Sequence, residues 1–159
     1  MQQPPPVPKL LQQLEQFAHQ LRQLFAAPKV DWRRQPAPGE WSLTQVICHL
    51  RDVEREVHQP RFAALIAREN AFIAGATPDE WAAPRDYQAQ DGPTALADFL
   101  AARAETVAML QALPPTLWSR QGRHAFFGPT SLHELLSLVV RHDEAHGEQI
   151  TTLMQRNLT

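Results

Sequence analysis

The residues with the most chemical promise lie near the C-terminal end, in the segment RHDEAHGEQI. His142 and His146 stand four positions apart, which on a helix stacks their imidazoles on one face. Two rings so placed can grip one metal ion from the same side. At about 100° per residue, His146 falls near the centre of the apolar stripe formed by Leu132, Leu136, Val139, Ile150 and Leu153, and His142 about 40° to one side. Both rings are expected to point inward. An inward ring needs a partner for its nitrogen, since leaving it bare costs on the order of 1–3 kcal/mol. A metal, a carboxylate or a buried water would each serve, so the pair alone favours the plainer reading of two hydrogen-bonded core or rim histidines.

His49 adds a third ring from another helix, at the edge of the stripe Val46, Leu50, Val53 and Val57. Three neutral nitrogens would leave a fourth position open for water or substrate, the arrangement of a reactive site rather than a structural one. The zinc-peptidase spacing is not met: Asp143 follows His142 where a glutamate would be needed, and the pair His133–Glu134 has Ser137 where the second ligand would stand.

Other candidates have plainer alternatives. Asp143 is expected either to orient one of the imidazoles or to pair with an arginine across the molecule. Asp52, one turn after His49, could orient a ring too, although a solvated surface carboxylate is the simpler expectation. Arg103 falls on an apolar stripe, where it could bind the anionic part of a substrate; the simpler expectation is a packed stem whose head reaches water or an acid. Glu54 is placed on the far flank of its helix from His49 and is not counted as a ligand. Cys48 reads as a small packed residue, and His19, His58, His124 and His133 as surface histidines. Trp32, Trp41, Trp81 and Trp118 read as anchors for loops and helix ends.

Four helical segments must position these groups. The first runs from about Pro8 to Phe25 on the stripe Leu10, Leu14, Phe17, Leu21 and Leu24, after a lead-in (residues 1–7) expected to be mobile. The second begins at a Ser42–Gln45 capping box and reaches about Asn70, with a kink expected at Pro60. A long crossover, with a short helical turn near Pro78 to Trp81, leads to the third segment, about Thr94 to Leu113. The fourth starts at a Ser131–Glu134 capping box and runs to about Gln155. Between the third and fourth, Phe126 and Phe127 are expected to pack under their loop. No strand-period alternation is visible, so the expected fold is an all-α four-helix bundle in one domain, residues 1–159.

Composition narrows the options. The 159 residues carry a formal net charge of −2 and scattered basic residues, which argues against nucleic acid and anionic membrane as partners. No stretch approaches the ~20 apolar residues of a membrane span. With one cysteine and no signal-peptide pattern at the start, a cytoplasmic location is expected.

The segment GEWSLTQVICHLRDVERE, which carries His49, and the segment FGPTSLHELLSLVVRHDEAHGEQI, which carries His142 and His146, together resemble the DinB-like (DinB/YfiT) metal-dependent superfamily. The Phe99–Arg103 spacing and the Leu113–Pro114 to Trp118 ending match its pattern as well. The resemblance implies an up-down-down-up bundle, a three-histidine site for one divalent ion (zinc or nickel first, iron or manganese next), and frequently a homodimer. It also implies a small-molecule activity: thiol S-transfer with bacillithiol, mycothiol or glutathione onto an electrophile, a thiol-dependent isomerisation, or a related hydrolysis. A stress-associated bundle that binds metal without turnover is the alternative.

Overall fold

The structure, a computed structural model, describes residues 3–26 and 29–157. The lead-in call on residues 1 and 2 and the start of the following loop at residues 27 and 28 lie outside the described residues. Of the lead-in that is described, Pro5 is tied down: its carbonyl accepts a hydrogen bond of 2.7 Å from His133 Nε2.

Helix α1 (Val7–Phe25) buries Leu10, Leu14, Phe17 and Leu21, the stripe its period predicts. Helix α2 (Leu43–Val53) opens on the expected capping box, in which Gln45 N–H donates to Ser42 Oγ at 3.3 Å and the Gln45 side chain accepts from the Ser42 N–H at 2.9 Å. It continues through a single π-turn (Glu54–His58) into α3 (Gln59–Ala67). The irregularity thus comes ahead of Pro60: Gln59 N–H reaches back five residues to the Glu54 carbonyl, and Pro60 has no N–H to restore the four-residue ladder. Helices α4 (Gly92–Gln111) and α5 (Leu132–Asn157) complete the bundle, α5 starting at its predicted capping box, with Glu134 N–H on Ser131 Oγ at 3.1 Å. Both α4 and α5 pack against α1 and against the α2–α3 helix. The result is a four-helix bundle. Among the described residues, no helix is long and apolar enough to cross a membrane.

The expectation of an exclusively helical chain is corrected in one place. Strands β1 (Phe72–Ile73), β2 (Gln121–His124) and β3 (Gly128–Ser131) form a small sheet in the order β1-β2-β3, the first pair parallel and the second antiparallel. At Gly122 a Cβ would lie 2.7 Å from Leu65 Cδ1 and 2.8 Å from the Ala71 carbonyl, so only glycine lets β2 press this closely onto the end of α3. Phe126 and Phe127, expected beneath the loop, stand at the hairpin tip with 63% and 60% of their surface exposed. Their hairpin is too short to fold back over them.

The core divides into two apolar clusters. One gathers Phe17, Leu21, Val46, Ile47, Phe99 and Ile150; the other gathers Leu10, Leu14, Phe62, Leu65, Leu110, Leu136 and Val139. In sequence order along α2–α3, α4 and α5, the buried polar residues His49, Glu54, His58, Arg103, Thr106 and Asp143 fall between them. This polar layer contains the candidate site.

Candidate metal centre

The predicted trio comes together. His49 from α2 and His142 and His146 from α5 each present a ring nitrogen, and the three atoms lie within 4.8 Å of one another. His49 Nε2 is 3.2 Å from His142 Nε2. The ring centroids of His146 are 4.7 Å from those of His49 and 4.5 Å from those of His142. His49 is fully buried, while His142 and His146 are half-buried.

The protonation state suits ligation. Burial lowers the pKa of His49 to about 4, helped by the positive potential of His146 and opposed by Asp79. Burial also lowers His142, with His58, His146 and His49 adding to the effect, and lowers His146 against its hydrogen bond to Gln149. All three rings are therefore neutral near pH 7, with lone pairs available. For His146 the tautomer is set: Nδ1–H donates to Gln149 Oε1 at 2.8 Å, which leaves Nε2 as the acceptor. The Nδ1 atoms of His49 and His142 are buried with no hydrogen-bond partner.

This donor set fits a divalent metal ion. Two imidazole nitrogens sharing one ion at about 2.0–2.1 Å in tetrahedral geometry stand about 3.3–3.4 Å apart. The 3.2 Å between His49 and His142 is close to that spacing, and the His146 nitrogen lies within 4.8 Å of both. Three nitrogens from two helices suit zinc, nickel or a similar borderline ion.

Two residues beside the trio were not singled out for this place by the sequence. Asp79 sits on the helical turn Pro78–Trp81 of the crossover, with Oδ1 3.8 Å from His49 Nε2 and its side chain 84% exposed. It shares with His146 and Gln149 a groove of about 650 Å³ bordered by Trp41. His58, expected at the surface, is buried behind His142, with ring centroids 5.3 Å apart and its Nε2 unpartnered. The π-turn carries it inward. His124, also expected at the surface, is buried under the hairpin, where its Nδ1 accepts the Phe126 N–H at 3.1 Å.

The charged candidates take other places. Arg103 is 1% exposed and grips Glu54 through Nε and Nη2, both at 3.0 Å, and Asp143 through Nη1 at 2.6 Å and Nη2 at 2.9 Å. Its head is spent on two carboxylates, so it does not anchor a substrate anion, and of the simpler expectation, a head reaching water or an acid, the acid is what the structure shows. Asp143 accordingly pairs across the bundle rather than orienting an imidazole. Burial raises Asp143 to about 6 despite Arg103; Glu54 also meets the cost of burial, but Arg103 prevails and holds it below the usual carboxylate range. Glu54, placed by the sequence on the far flank of its helix from His49, is fully buried and spent on Arg103. Asp52 is not a solvated surface carboxylate: it accepts Tyr87 Oη at 2.6 Å, Arg85 Nη1 at 2.7 Å and Arg51 Nε at 2.8 Å, pinning the crossover to α2. Cys48 is packed as expected, and burial pushes its thiol up to about 11.

With this geometry in view, a family model described as the DinB superfamily matches residues 13–150. The chain belongs to the DinB superfamily. Among solved structures, one described as "YfiT from Bacillus subtilis is a probable metal-dependent hydrolase with an unusual four-helix bundle topology" superposes with a TM-score of 0.80 at 24% identity, over 94% of this chain and 86% of that one. At that identity the match shows the shared fold. No curated protein matches the chain.

Proposed function

We propose that this DinB-superfamily chain is a metal-dependent enzyme acting on small molecules. In this reading His49, His142 and His146 hold one divalent ion, zinc or nickel first, and a low-molecular-weight thiol is joined to an electrophile. The observation that carries the reading is the 3.2 Å approach of two neutral imidazole nitrogens, with the third ring beside them. When bound, the ion would lower the pKa of a thiol or water in its open position. The chain does the rest. Burial keeps the rings unprotonated, Gln149 fixes the orientation of His146, and the groove past Trp41 and Asp79 gives a small molecule its approach.

Hydrolysis is the second reading. The B. subtilis relative is described as a probable metal-dependent hydrolase, and an open position accepts water as readily as a thiol.

One experiment separates these readings. The protein is loaded with zinc or nickel and offered an activated aryl halide with glutathione, mycothiol or bacillithiol, and separately an activated ester without thiol. The expected result is metal-dependent conjugation that chelation and His142→Ala abolish. Ester cleavage without conjugation would replace transfer by hydrolysis. Loading without any turnover would leave a metal-binding bundle and discard the enzyme, and failure to load would remove the metal centre itself.

A further inference from the structure

Beside His142 and His58, the π-turn and α3 face α5 across a cavity of about 180 Å³. Phe62 and the aliphatic face of α5 at Leu138 form its walls, Phe127 stands at its rim, and His58, His142 and Arg61 are its polar groups. Three features show that this is more than a packing gap. First, His58 is 8% exposed and its Nε2 is buried without a partner, a state that costs free energy unless something fills the cavity and bonds to it. Second, Arg61 is half-buried, and among the described residues the one acceptor its guanidinium finds is the neutral Ala74 carbonyl, at 3.0 Å from Nη2. Burial lowers its pKa, and its uncompensated positive potential reaches both His58 and His124. Third, Phe127 is left 60% exposed at the rim, where an occupant would cover it.

Size and charge together define the occupant. A dry cavity of roughly 150 Å³ lined by aliphatic and aromatic side chains accepts a benzene-sized ring. An arginine without a counter-ion calls for an anion, and its planar fork matches a carboxylate. We propose that this cavity binds a small monocyclic aromatic carboxylate, the ring lying between Phe62 and α5 and the carboxylate on Arg61, with His58 as the hydrogen-bonding partner inside. The site goes beyond the proposed enzyme reading and needs no ion in the triad. Because His142 lines this cavity while its Nε2 lies 3.2 Å from His49 Nε2, an occupant would touch a candidate ligand ring.

Benzoate is the probe, titrated into the chelator-treated protein and followed by the ring C–H resonances of His58 and His142. Saturable shifts of both are expected, with a Kd on the order of 1 mM for so small a ligand. Acetate, which lacks the ring, and benzyl alcohol, which lacks the charge, are each expected to bind at least about tenfold more weakly. Leu138→Trp fills the cavity and is expected to abolish the shifts. Arg61→Gln, which removes no core packing, is expected to erase the preference for benzoate over benzyl alcohol, so the proposal is testable even if Leu138→Trp fails to fold. Saturation of neither histidine by benzoate, or equal binding to wild type and Arg61→Gln, would overturn it. The fate of the metal centre has no bearing on either outcome.

Discussion

His142 has His49 at its Nε2 and His58 perpendicular to its ring, whereas His146 has a fixed hydrogen-bond partner in Gln149. That difference makes Gln149 the clearest point at which to test ligand orientation. Removing the group that fixes a ligand's tautomer typically costs about 10–100-fold in metal affinity. Gln149→Ala is therefore expected to weaken zinc binding by that factor in a chelator-competition titration, without lowering thermal stability. An unchanged constant would mean that His146 does not rely on Gln149. The three rings themselves were legible in the sequence because i,i+4 spacing is a local property of a helix, and His49 follows a capping box that fixes where its helix begins. Asp79 was not legible. It reaches His49 from a crossover with no periodicity, and a carboxylate on a loop has no direction until the loop is folded.

At the scale of elements, the π-turn explains the main misreading of helix faces. Counting about 100° per residue places Glu54 on the far flank of its helix from His49, and His58, with no partner at ligand spacing on its own segment, reads as a surface residue. Glu54 stands where the turn begins and meets Arg103, and the wider turn shifts the phase of the residues after it, so that His58 meets His142. The strands escaped notice for another reason: QGRH and GPTS have no apolar alternation, because only one short face of each touches the core. By contrast, both capping boxes were legible, being sequence patterns with a local hydrogen-bond meaning. The first also reaches beyond its own helix, since Ser42 Oγ donates to Gln88 Oε1 at 2.6 Å, tying the start of α2 to the crossover. Ser42→Ala removes the cap of Gln45 N–H and this tie together. It is expected to destabilise the protein by about 1–2 kcal/mol in urea denaturation, against a few tenths for a typical surface change. A loss of a few tenths would show that neither bond matters to the fold.

For the whole molecule, the polar layer between two apolar clusters makes stability a function of pH. Burial lowers His49 and His58 to about 4 and lowers His142 and His146 as well, whereas in the unfolded chain each titrates near 6.5. Between those values the unfolded state binds protons that the folded state refuses, so stability falls as pH drops from about 6.5 to about 4. Each of His49 and His58 withdraws up to about 3 kcal/mol over that interval. Asp143 acts in the opposite sense. Raised to about 6 from an ordinary value of 3.8, it takes up a proton first in the folded state and returns part of the loss between those two values. Four histidines outweigh one carboxylate, and a total stability of 5–15 kcal/mol leaves little margin. The ion-free protein is therefore expected to show a steep fall in its urea midpoint below pH 6.5, with acid unfolding near pH 4–5. His58→Phe, which replaces one of the four rings with an apolar one, should make that slope shallower. With zinc bound, protons must also displace the ion, so the same transition should move to lower pH as zinc concentration rises. A urea midpoint that stayed level from pH 7 to pH 4.5 in the ion-free protein would mean that the imidazoles titrate in the fold as they do in the unfolded chain, and that burial does not hold them neutral below pH 6.5.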